Sequence, residues 1–461
     1  MTARRSRREF LKSVAAASAA APTVLRAQTS ASRAVSPNDR IRLAAIGVGI
    51  RGQQDIRAAL RTPGAELAAA ADVYDGRLTL AKELWGEQVF TTRDYREVLA
   101  RRDIDAVVIA TPDHWHAQMA IDAMKAGKDV YVEKPMVQKL DEGPRVIDVA
   151  RQTGRILQVG SQRTSSIVYA KARELFRDGA IGNLNLVEAW INRNSPLGAW
   201  QYSIPPDASP QTIDWDRFLG TAPKRPFDPV RLFRWRNYRD YGTGIPGDLF
   251  VHLFTGIHFV LDAIGPARVI ASGGLRYWND GRDVPDVMLA LYDYPKTSTH
   301  PAFTLSLKVN FAEGAGDNQA FRFVGPEGVI TIGDNAVTLA RRHPLAEPGE
   351  TSDTFAKAMQ QKFLEEYRAK YPVDPPQLRS RSDEVYAAPP RYSDADEHFR
   401  NFFDAVRTRR PVVEDAVFGL RAAGPALLAN DSYFETRAIG WDPEKMVRLK
   451  PVATDGSSGR V

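Results

Sequence analysis

Residues 41–52 read Ile41-Arg42-Leu43-Ala44-Ala45-Ile46-Gly47-Val48-Gly49-Ile50-Arg51-Gly52, and this stretch decides the fold. Its first six residues form a largely apolar run that predicts a β-strand, and residues 53–60 have helical periodicity. The Gly-x-Gly-x-x-Gly spacing between them allows a tight turn, a close approach of the backbone to a pyrophosphate, and close packing of the helix on the strand. The stretch therefore predicts the first strand and helix of a dinucleotide-binding domain.

A carboxylate at the end of the next predicted strand bears on the choice of dinucleotide. Residues 66–71 predict that strand, and Asp72 follows it, 20 residues after Gly52. Asp72 can accept hydrogen bonds from the hydroxyls of an adenosine ribose and would repel a 2′-phosphate. This favours NAD over NADP. Two alternatives stay open, because Asp72 can instead be a helix N-cap and because Arg77 nearby keeps NADP possible.

The alternation of strand and helix continues to about residue 160. A β-rich run over 106–110 leads into Thr111-Pro112-Asp113-His114-Trp115-His116, and a helix over 117–126 ends at Gly127. This order predicts a doubly wound parallel sheet. No cysteine and no carboxylate stand at ligand spacing from the two histidines, so we expect no metal site there. We expect packing around a nicotinamide ring or capping of the helix by Asp113.

The next strand carries the first candidate for chemistry. It reads Val130-Tyr131-Val132-Glu133-Lys134-Pro135 and must stop at the proline. Glu133 and Lys134 are thereby left at its carboxyl end, where open α/β sheets bind their ligands. A lysine there can hydrogen-bond a reacting hydroxyl or exchange a proton with it. The alternative is an ordinary solvated strand end.

A second candidate follows the glycine-rich residues 242–247. Asp248 and His252 are four residues apart, so a helix that begins near Asp248 puts both on one face. The carboxylate can then orient the imidazole and stabilise its charged form. A purely structural pair is the alternative.

These motifs, in this order and spacing, resemble those of the Gfo/Idh/MocA oxidoreductases, which include glucose–fructose oxidoreductase and inositol dehydrogenase. The resemblance implies an α/β protein: an N-terminal Rossmann domain with a doubly wound parallel sheet, then a C-terminal α/β domain with a large open mixed, mainly antiparallel sheet. It also implies that Lys134 lies beside the nicotinamide and that His252 and Lys134 handle the substrate hydroxyl, with Asp248 orienting the imidazole. Many members place an aspartate three residues after the histidine, where this chain has Thr255, and this departure weakens any transfer of substrate identity.

The resemblance further implies which residues contact the dinucleotide. These are Gly47, Gly49, Arg51, Gly52, Asp72, Thr111, Pro112, His116 and Glu133. Gln162, where the chain crosses between domains, is a further candidate for this contact.

Length predicts two domains, since 461 residues are long for one core. We divide the chain into a linker over 28–40, a Rossmann domain over 41–163 and a substrate-binding and oligomerisation domain over 164–461, whose last helices can pack back on the first domain. Residues 194–243 are irregular and rich in aromatics and arginine, which favours a loop that shapes a pocket. The alternative is a loop packed for stability or against a partner subunit.

The N-terminus resembles a twin-arginine export signal. Arg7 and Arg8 precede Phe10-Leu11-Lys12 and a short alanine-rich run, which is too short to span a bilayer. We expect a signal over 1–27, the twin-arginine translocase as a partner, a periplasmic or other extracytoplasmic location, and no stable membrane insertion. The alternative is a disordered basic tail.

Charge and cysteine content exclude several classes of function. The formal charge of +6 arises largely in residues 1–27, which contain six basic residues and one acid, so nucleic acid is not expected as a partner. The chain contains no cysteine, which rules out disulfides, thiol nucleophiles and thiolate metal sites.

We therefore expect an enzyme that transfers hydride between a tightly bound NAD, or NADP, and a hydroxyl of a sugar, polyol or glycoside. The first alternative is a redox-neutral NAD-dependent glycosidase or eliminase that works through a transient keto-sugar. A non-enzymatic dinucleotide-binding protein is a further alternative. We expect a homo-oligomer, because the open sheet of such relatives often serves as a dimer face.

Overall fold

The structure is a computed structural model that describes residues 40–333, 335–341, 348–372 and 383–450. The expected export signal over 1–27 lies outside the described residues. In the part of the chain that the structure describes, none of the helices has the length and apolar character needed to cross a bilayer.

The N-terminal domain is a doubly wound parallel sheet, as predicted. Its strands lie in the order β3-β2-β1-β4-β5-β6 and all pair in parallel. The strand order reverses between β1 and β4, which opens a ligand crevice at their carboxyl ends. The strands are β1 (Ile41–Ile46), β2 (Ala65–Ala71), β3 (Phe90–Thr92), β4 (Ala106–Ile109), β5 (Asp129–Glu133) and β6 (Leu157–Gly160). The helices are α1 (Ile50–Leu60), α2 (Asp75–Trp85), α3 (Tyr95–Ala100), α4 (Asp113–Lys125) and α5 (Glu142–Thr153).

The C-terminal domain is built on a ten-stranded sheet in the order β14-β13-β12-β11-β7-β10-β9-β8-β15-β16. The β7–β10 pair is parallel and the other pairs are antiparallel. These strands are β7 (Leu186–Asn192), β8 (Arg268–Gly274), β9 (Val287–Tyr294), β10 (Phe303–Asn310), β11 (Asn318–Gly325), β12 (Gly328–Ile332), β13 (Ala336–Arg341), β14 (Glu384–Ala387), β15 (Ile439–Asp442) and β16 (Val447–Arg448). The sequence did not predict β13 to β16, which are short and lie among polar or irregular residues.

One face of this sheet is covered by helices. Burial alternates along β10, as expected for a strand with one face in a core. Helices α6 (Ile167–Arg177), α9 (Val251–Leu261) and α12 (Ala416–Glu435) lie side by side; α6 contacts β12 and β13, and α12 contacts β8. A further helix, α10 (Lys357–Lys370), has no buried residue.

Helix α11 (Asp394–Thr408) returns to the N-terminal domain, as the sequence suggested for the last helices. The rings of Phe399 and Tyr131 stack with their centroids 4.3 Å apart, and Phe402 and Phe403 are buried with them. Arg409, just after the helix, forms an ion pair with the buried Asp129 at 2.6 Å. The core of the first domain is therefore completed by residues 394–409, which follow the strands of the C-terminal domain up to β14 in the sequence.

Residues 194–243, which we call the cap, form a small aromatic core of their own against the first domain. This core packs Tyr74 of the first domain with Phe218 and Phe233 of the cap. Two backbone bonds join the layers, from Asp75 N to Thr212 O at 3.0 Å and from Asp214 N to Val73 O at 2.9 Å. The regular elements of the cap are the short helices α7 (Trp215–Leu219) and α8 (Pro229–Phe233) and a single 3₁₀ turn at Trp235–Asn237.

Candidate active site

A cavity of about 940 Å³ lies where the carboxyl ends of the parallel strands, the cap and α9 meet. Its wall includes Gly47 and Asp72 from the first domain, Phe233 from the cap, and Lys134 and His252. One cavity therefore contains both the glycine turn and the two residues predicted to handle a substrate hydroxyl. It is large enough for a dinucleotide with a small second ligand.

The glycine turn has the geometry that a pyrophosphate needs. Gly47 has φ of +89°, and a Cβ there would lie 2.7 Å from Ala110 O. A Cβ on Gly52 would lie 2.0 Å from Gly47 O, so α1 packs on the turn more closely than any side chain allows. The N-terminus of α1 begins at this wall of the cavity, and helix N-termini favour bound anions. The turn therefore fits a dinucleotide.

Asp72 lies at the end of β2 and is bonded to the glycine turn. Its carboxylate accepts the N–H of Val48 at 2.8 Å and the N–H of Tyr74 at 3.1 Å. Arg77 lies 3.5 Å away and packs over Phe233 of the cap. The N-cap of α2 is Tyr74, so the structure does not support the alternative of Asp72 as that helix's N-cap.

Thr111 and Pro112 line the same cavity, at the end of β4. The hydroxyl of Thr111 is buried and has no hydrogen-bond partner within the described residues, so it is free to bond a ligand. Asp113 does not cap α4; its carboxylate accepts the N–H and the hydroxyl of Thr243 at 3.0 and 2.6 Å. This contact ties the glycine-rich residues before Asp248 to the first domain.

Lys134 is held at the end of β5 by two hydrogen bonds. Its Nζ donates to Asp248 Oδ1 at 2.8 Å and to the backbone carbonyl of Asp248 at 2.9 Å. An ammonium has three N–H bonds, so one remains for a ligand in the cavity. Both side chains are about nine-tenths buried, which strengthens their attraction. Lys134 and Asp248 are 114 positions apart, and the sequence did not predict that they pair.

The carboxylate of Asp248 has a second cationic partner, Arg236 of the cap, whose Nε lies 3.1 Å from the same oxygen. Burial raises the pKa of Asp248, but the charges of Lys134 and Arg236 outweigh it and hold the pKa well below its usual range. Asp248 is therefore a permanent anion that fixes two cations in the cavity wall.

The expected hydrogen bond between Asp248 and His252 does not form. The chain makes a turn of π-helix at Pro246–Phe250 before α9 begins, and its wider turns break the four-residue spacing on which that expectation rested. His252 Nδ1 is buried and has no hydrogen-bond partner among the described residues. Burial, and after it the charges of Lys134 and Arg163, lower the pKa of His252 well below its usual range, so the imidazole is neutral.

Three of the residues implied as cofactor contacts, Gly52, His116 and Glu133, and the further candidate Gln162 are not in the cavity wall. Gly52 lies beneath the turn, and His116 is bonded between the carbonyls of Thr111 and Pro135 at 2.8 and 2.7 Å. Glu133 accepts from Arg51 Nε at 2.8 Å and from Gln162 at 3.4 Å. Direct contacts to a dinucleotide from these four remain predictions. In the structure they contact residues that line the cavity or lie next to it: Gly52 packs on Gly47, His116 is bonded to Thr111, and Glu133 is bonded to Arg51.

Sequence reasoning missed two arginines in the cavity wall. Arg236 lies in the cap, and Arg193 directly follows β7. The composition of residues 194–243 was the signal for Arg236 but did not single it out, and the sequence analysis contained no signal for Arg193. Tyr202 and Trp235 also line this end of the cavity.

Family models match both domains. One described as "Oxidoreductase family, NAD-binding Rossmann fold" matches residues 41–161, and one described as "Oxidoreductase family, C-terminal alpha/beta domain" matches residues 197–273. Models of the Gfo/Idh/MocA oxidoreductase family thus match a segment of each domain, and the first match includes the glycine turn and the strand that ends at Glu133.

Curated relatives of this protein carry glycosidase names. It is 32% identical over 205 residues to a glycosyl hydrolase family 109 protein of Shewanella baltica, which covers 39% of this chain and 44% of the relative. It is 35% identical over 231 residues to an alpha-N-acetylgalactosaminidase of Shewanella oneidensis, which covers 42% and 50%. The chain thus spans about half the length of the curated relatives it matches.

Solved structures share the fold over most of the chain. A levoglucosan dehydrogenase in complex with NADH and levoglucosan matches with a TM-score of 0.62 at 17% identity, covering 87% of this chain and 99% of that one. An aldose–aldose oxidoreductase of Caulobacter crescentus, complexed with glycerol, matches with a TM-score of 0.62 at 16% identity, with the same coverage. At such identities the likeness shows the fold alone.

Proposed function

We propose that this protein is a Gfo/Idh/MocA oxidoreductase that transfers hydride between a tightly held NAD and a hydroxyl-bearing carbon of a sugar, polyol or glycoside. The observation that carries the proposal is the placement of Lys134, anchored on Asp248, and of an unpartnered His252 in the cavity that contains the glycine turn. When bound, NAD supplies the hydride acceptor at C4 of its nicotinamide ring.

The residues of this chain handle the proton. Oxidation of CH–OH to C=O removes a hydride from carbon and a proton from oxygen. The N–H of Lys134 that Asp248 leaves free can hold the substrate oxygen and stabilise negative charge as it develops there. The neutral imidazole of His252 has a nitrogen that can accept the proton. Asp248 acts by fixing Lys134 rather than by orienting His252.

The choice of NAD rests on Asp72. Its carboxylate lies in the cavity wall beside the glycine turn, where it would accept ribose hydroxyls and repel a 2′-phosphate. Arg77, only 3.5 Å from that carboxylate, keeps NADP as the second choice.

The cap supports tight binding of the cofactor. Phe233 and Trp235 form part of the wall opposite the strand ends, and backbone bonds join the cap to the first domain. These contacts would keep the cap in place beside a bound dinucleotide. We therefore propose that the cofactor is recycled within the protein by a second substrate.

One observation favours a second candidate, a redox-neutral glycosidase or eliminase. The curated relatives with 32% and 35% identity carry glycosidase names. With bound NAD as the oxidant, Lys134 and His252 would assist the oxidation of a ring hydroxyl to a ketone, which makes the neighbouring C–H acidic. Loss of that proton would expel the aglycone, and in a glycosidase water would then add before the ketone is reduced again.

The experiment uses purified protein without added NAD. Extraction and mass spectrometry identify the bound cofactor, and a panel of sugars and polyols is screened for a change in reduced-nicotinamide absorbance. A change with a sugar is the expected result, and release of nitrophenol from a nitrophenyl glycoside supports the second candidate. His252→Gln should lose turnover and keep the cofactor. If no panel member changes the absorbance or is cleaved, the proposal fails.

We also propose export by the twin-arginine translocase, on the basis of Arg7 and Arg8 in residues 1–27. A cofactor-loaded protein is suited to a route that carries folded cargo. A tagged chain should appear outside the cytoplasm and should stay inside when both arginines are replaced by lysine. Recovery of the wild-type chain only from the cytosol would contradict this.

We further propose a homo-oligomer formed through the open face of the ten-stranded sheet. Ile270, Leu289 and Leu291 are 45, 48 and 52% exposed on two neighbouring strands, where Ile270 pairs with Leu291. Light scattering should give a mass above that of one chain, and Leu291→Arg should lower it.

A further inference from the structure

The substrate end of the cavity contains a cation with no anionic partner. Lys134, Arg193 and Arg236 all line this end, and Asp248 pairs with Lys134 and Arg236. Among the described residues no ion pair joins Arg193 to a carboxylate. Asp317 also lines the cavity, but it is exposed and accepts the N–H of Asn194.

Arg193 is held in position by its surroundings. Its backbone is bonded on both sides, from Arg193 N to Asn310 O at 2.8 Å and from Glu313 N to Arg193 O at 3.0 Å. Its side chain packs on Gly198, where a Cβ would lie 3.0 Å from Arg193 Cβ and 3.1 Å from Cδ. Nη1 donates to Gly198 O at 3.2 Å. The remaining N–H groups of this half-buried guanidinium are left for a ligand.

The charge of the Arg193 guanidinium acts on Asp248, the residue that fixes Lys134. Burial raises the pKa of Asp248, and the charges that lower it are Lys134, then Arg236, then Arg193. An arginine presents a planar fork of donors that matches a carboxylate with two parallel hydrogen bonds. The rings of Tyr202 and Trp235 line the same end and offer faces for a sugar ring.

We propose that the substrate is an acidic sugar, a hexuronic acid or its glycoside, whose carboxylate binds Arg193 while a ring hydroxyl reaches Lys134 and His252. The inference rests on the proposed hydride transfer and narrows its substrate class. The carboxylate supplies the negative charge that this end of the cavity lacks. Neutral sugars leave the guanidinium without a partner.

The test compares sugars that differ in one group. Methyl hexuronides and the matching methyl hexosides of the gluco, galacto and manno series are given to the purified full-length protein with its bound cofactor. The rate at which the bound cofactor is reduced in a single turnover, followed by absorbance over a range of sugar concentrations, gives the equivalent of kcat/KM for each sugar. We expect a uronide to exceed its matched hexoside by about 30-fold or more, the range for a charge-assisted bidentate pair.

Variants assign the effect to Arg193. Arg193→Gln should lower kcat/KM for the uronide by about 30-fold or more and bring the uronide-to-hexoside ratio towards one, mainly through KM. Arg193→Lys keeps the charge and should recover part of that ratio. Arg268→Gln, at an exposed surface ion pair far from the cavity, is the matched control and should leave the ratio as it is. Retention of bound cofactor shows that each variant is folded.

The possible failures are distinct. If neutral hexosides react as well as uronides, the substrate class is wrong while the hydride transfer stands. If hexose 6-sulfates are preferred over uronides, the carboxylate assignment is wrong. If the uronide preference survives Arg193→Gln and Arg193→Lys, Arg193 is not its source. If no sugar of either kind changes the absorbance, the proposed function itself fails.

Discussion

The two ends of the cavity are built in different ways. The dinucleotide end is made of backbone that is contiguous in sequence: β1, the turn at Gly47 and the start of α1. The substrate end is made of side chains from distant segments, with Lys134 on β5, Arg236 in the cap and Asp248 before α9. Steric fit governs the first end, whereas charge balance governs the second.

This difference predicts how each end fails. At the dinucleotide end Gly47 and Gly52 tolerate no added Cβ, because the nearest atoms are backbone atoms that cannot move aside. At the substrate end the loss of one partner leaves another charge buried and uncompensated, which is costly. The following substitutions test the contrast.

The largest effect is expected for Lys134→Met. The change removes the N–H that holds the substrate oxygen and leaves Asp248 with Arg236 as its remaining cationic partner. Turnover should fall by about 10³-fold or more, while bound cofactor, measured by mass spectrometry, is retained. Lys139→Met, at an exposed lysine five positions along, is the control and should behave as wild type. Turnover within tenfold of wild type would show that Lys134 does not act on the substrate.

A glycine pair separates steric contact from backbone strain. Gly47 and Gly127 have similar φ values of +89° and +81°, but a Cβ on Gly127 would meet no atom within 4 Å. Gly47→Ala should lower the free energy of unfolding by about 3 kcal/mol or more and empty the cofactor site, whereas Gly127→Ala should cost about 1 kcal/mol. Urea unfolding and extracted cofactor measure both. Equal losses in the two variants would contradict a steric account of the turn.

The stability of the protein should depend on pH through Glu414, which is bonded to the segment where the chain crosses between domains. Glu414 is buried and accepts hydrogen bonds from Ser161 at 2.6 Å and from Thr164 at 3.2 Å, where the chain crosses between domains. Burial raises the pKa of Glu414 to about 8, from an ordinary value of 4.5. The folded state therefore keeps a proton that the unfolded state loses, and the free energy of unfolding should fall as pH rises from 4.5 to about 8.

Glu414→Gln tests this dependence. The variant cannot lose the proton, so its stability relative to wild type should rise with pH by about 1.4 kcal/mol per unit within that window, measured by urea unfolding at pH 6 and pH 8. Glu66→Gln, at a carboxylate whose side chain is 47% exposed, is the control. Parallel pH profiles for wild type and Glu414→Gln would show that Glu414 is charged in the folded protein.

The smallest effect is expected for Asp72→Ser. Loss of the carboxylate removes its repulsion of a 2′-phosphate and leaves Arg77 free to bind one. The ratio of NADP to NAD recovered from the purified variant should rise by about 10-fold. Asp72→Asn keeps the shape and one acceptor for the N–H of Val48, and so separates charge from hydrogen bonding. An unchanged ratio in both variants would remove Asp72 from cofactor selection.

Much of the fold was predictable because local pattern and tertiary environment agree. The bounds of β1 match their prediction, since its apolar run is buried in the sheet of the first domain. The short strands β13 to β16 were missed because their pairing partners, rather than their own composition, make them strands. The π-helical turn at Pro246–Phe250 was also missed, and with it the true partners of Asp248.

The sequence by itself determined the dinucleotide end, because a strand, a glycine turn and a helix in succession leave the backbone few other conformations. It also determined that Lys134 stands at a strand end, since Pro135 stops the strand. Only the tertiary structure decided that Asp248 pairs with Lys134 and Arg236 rather than with His252, and that Arg193 has no carboxylate partner among the described residues. Ion pairs form between whichever charges the fold brings within a few ångströms, and distance along the chain does not reveal that.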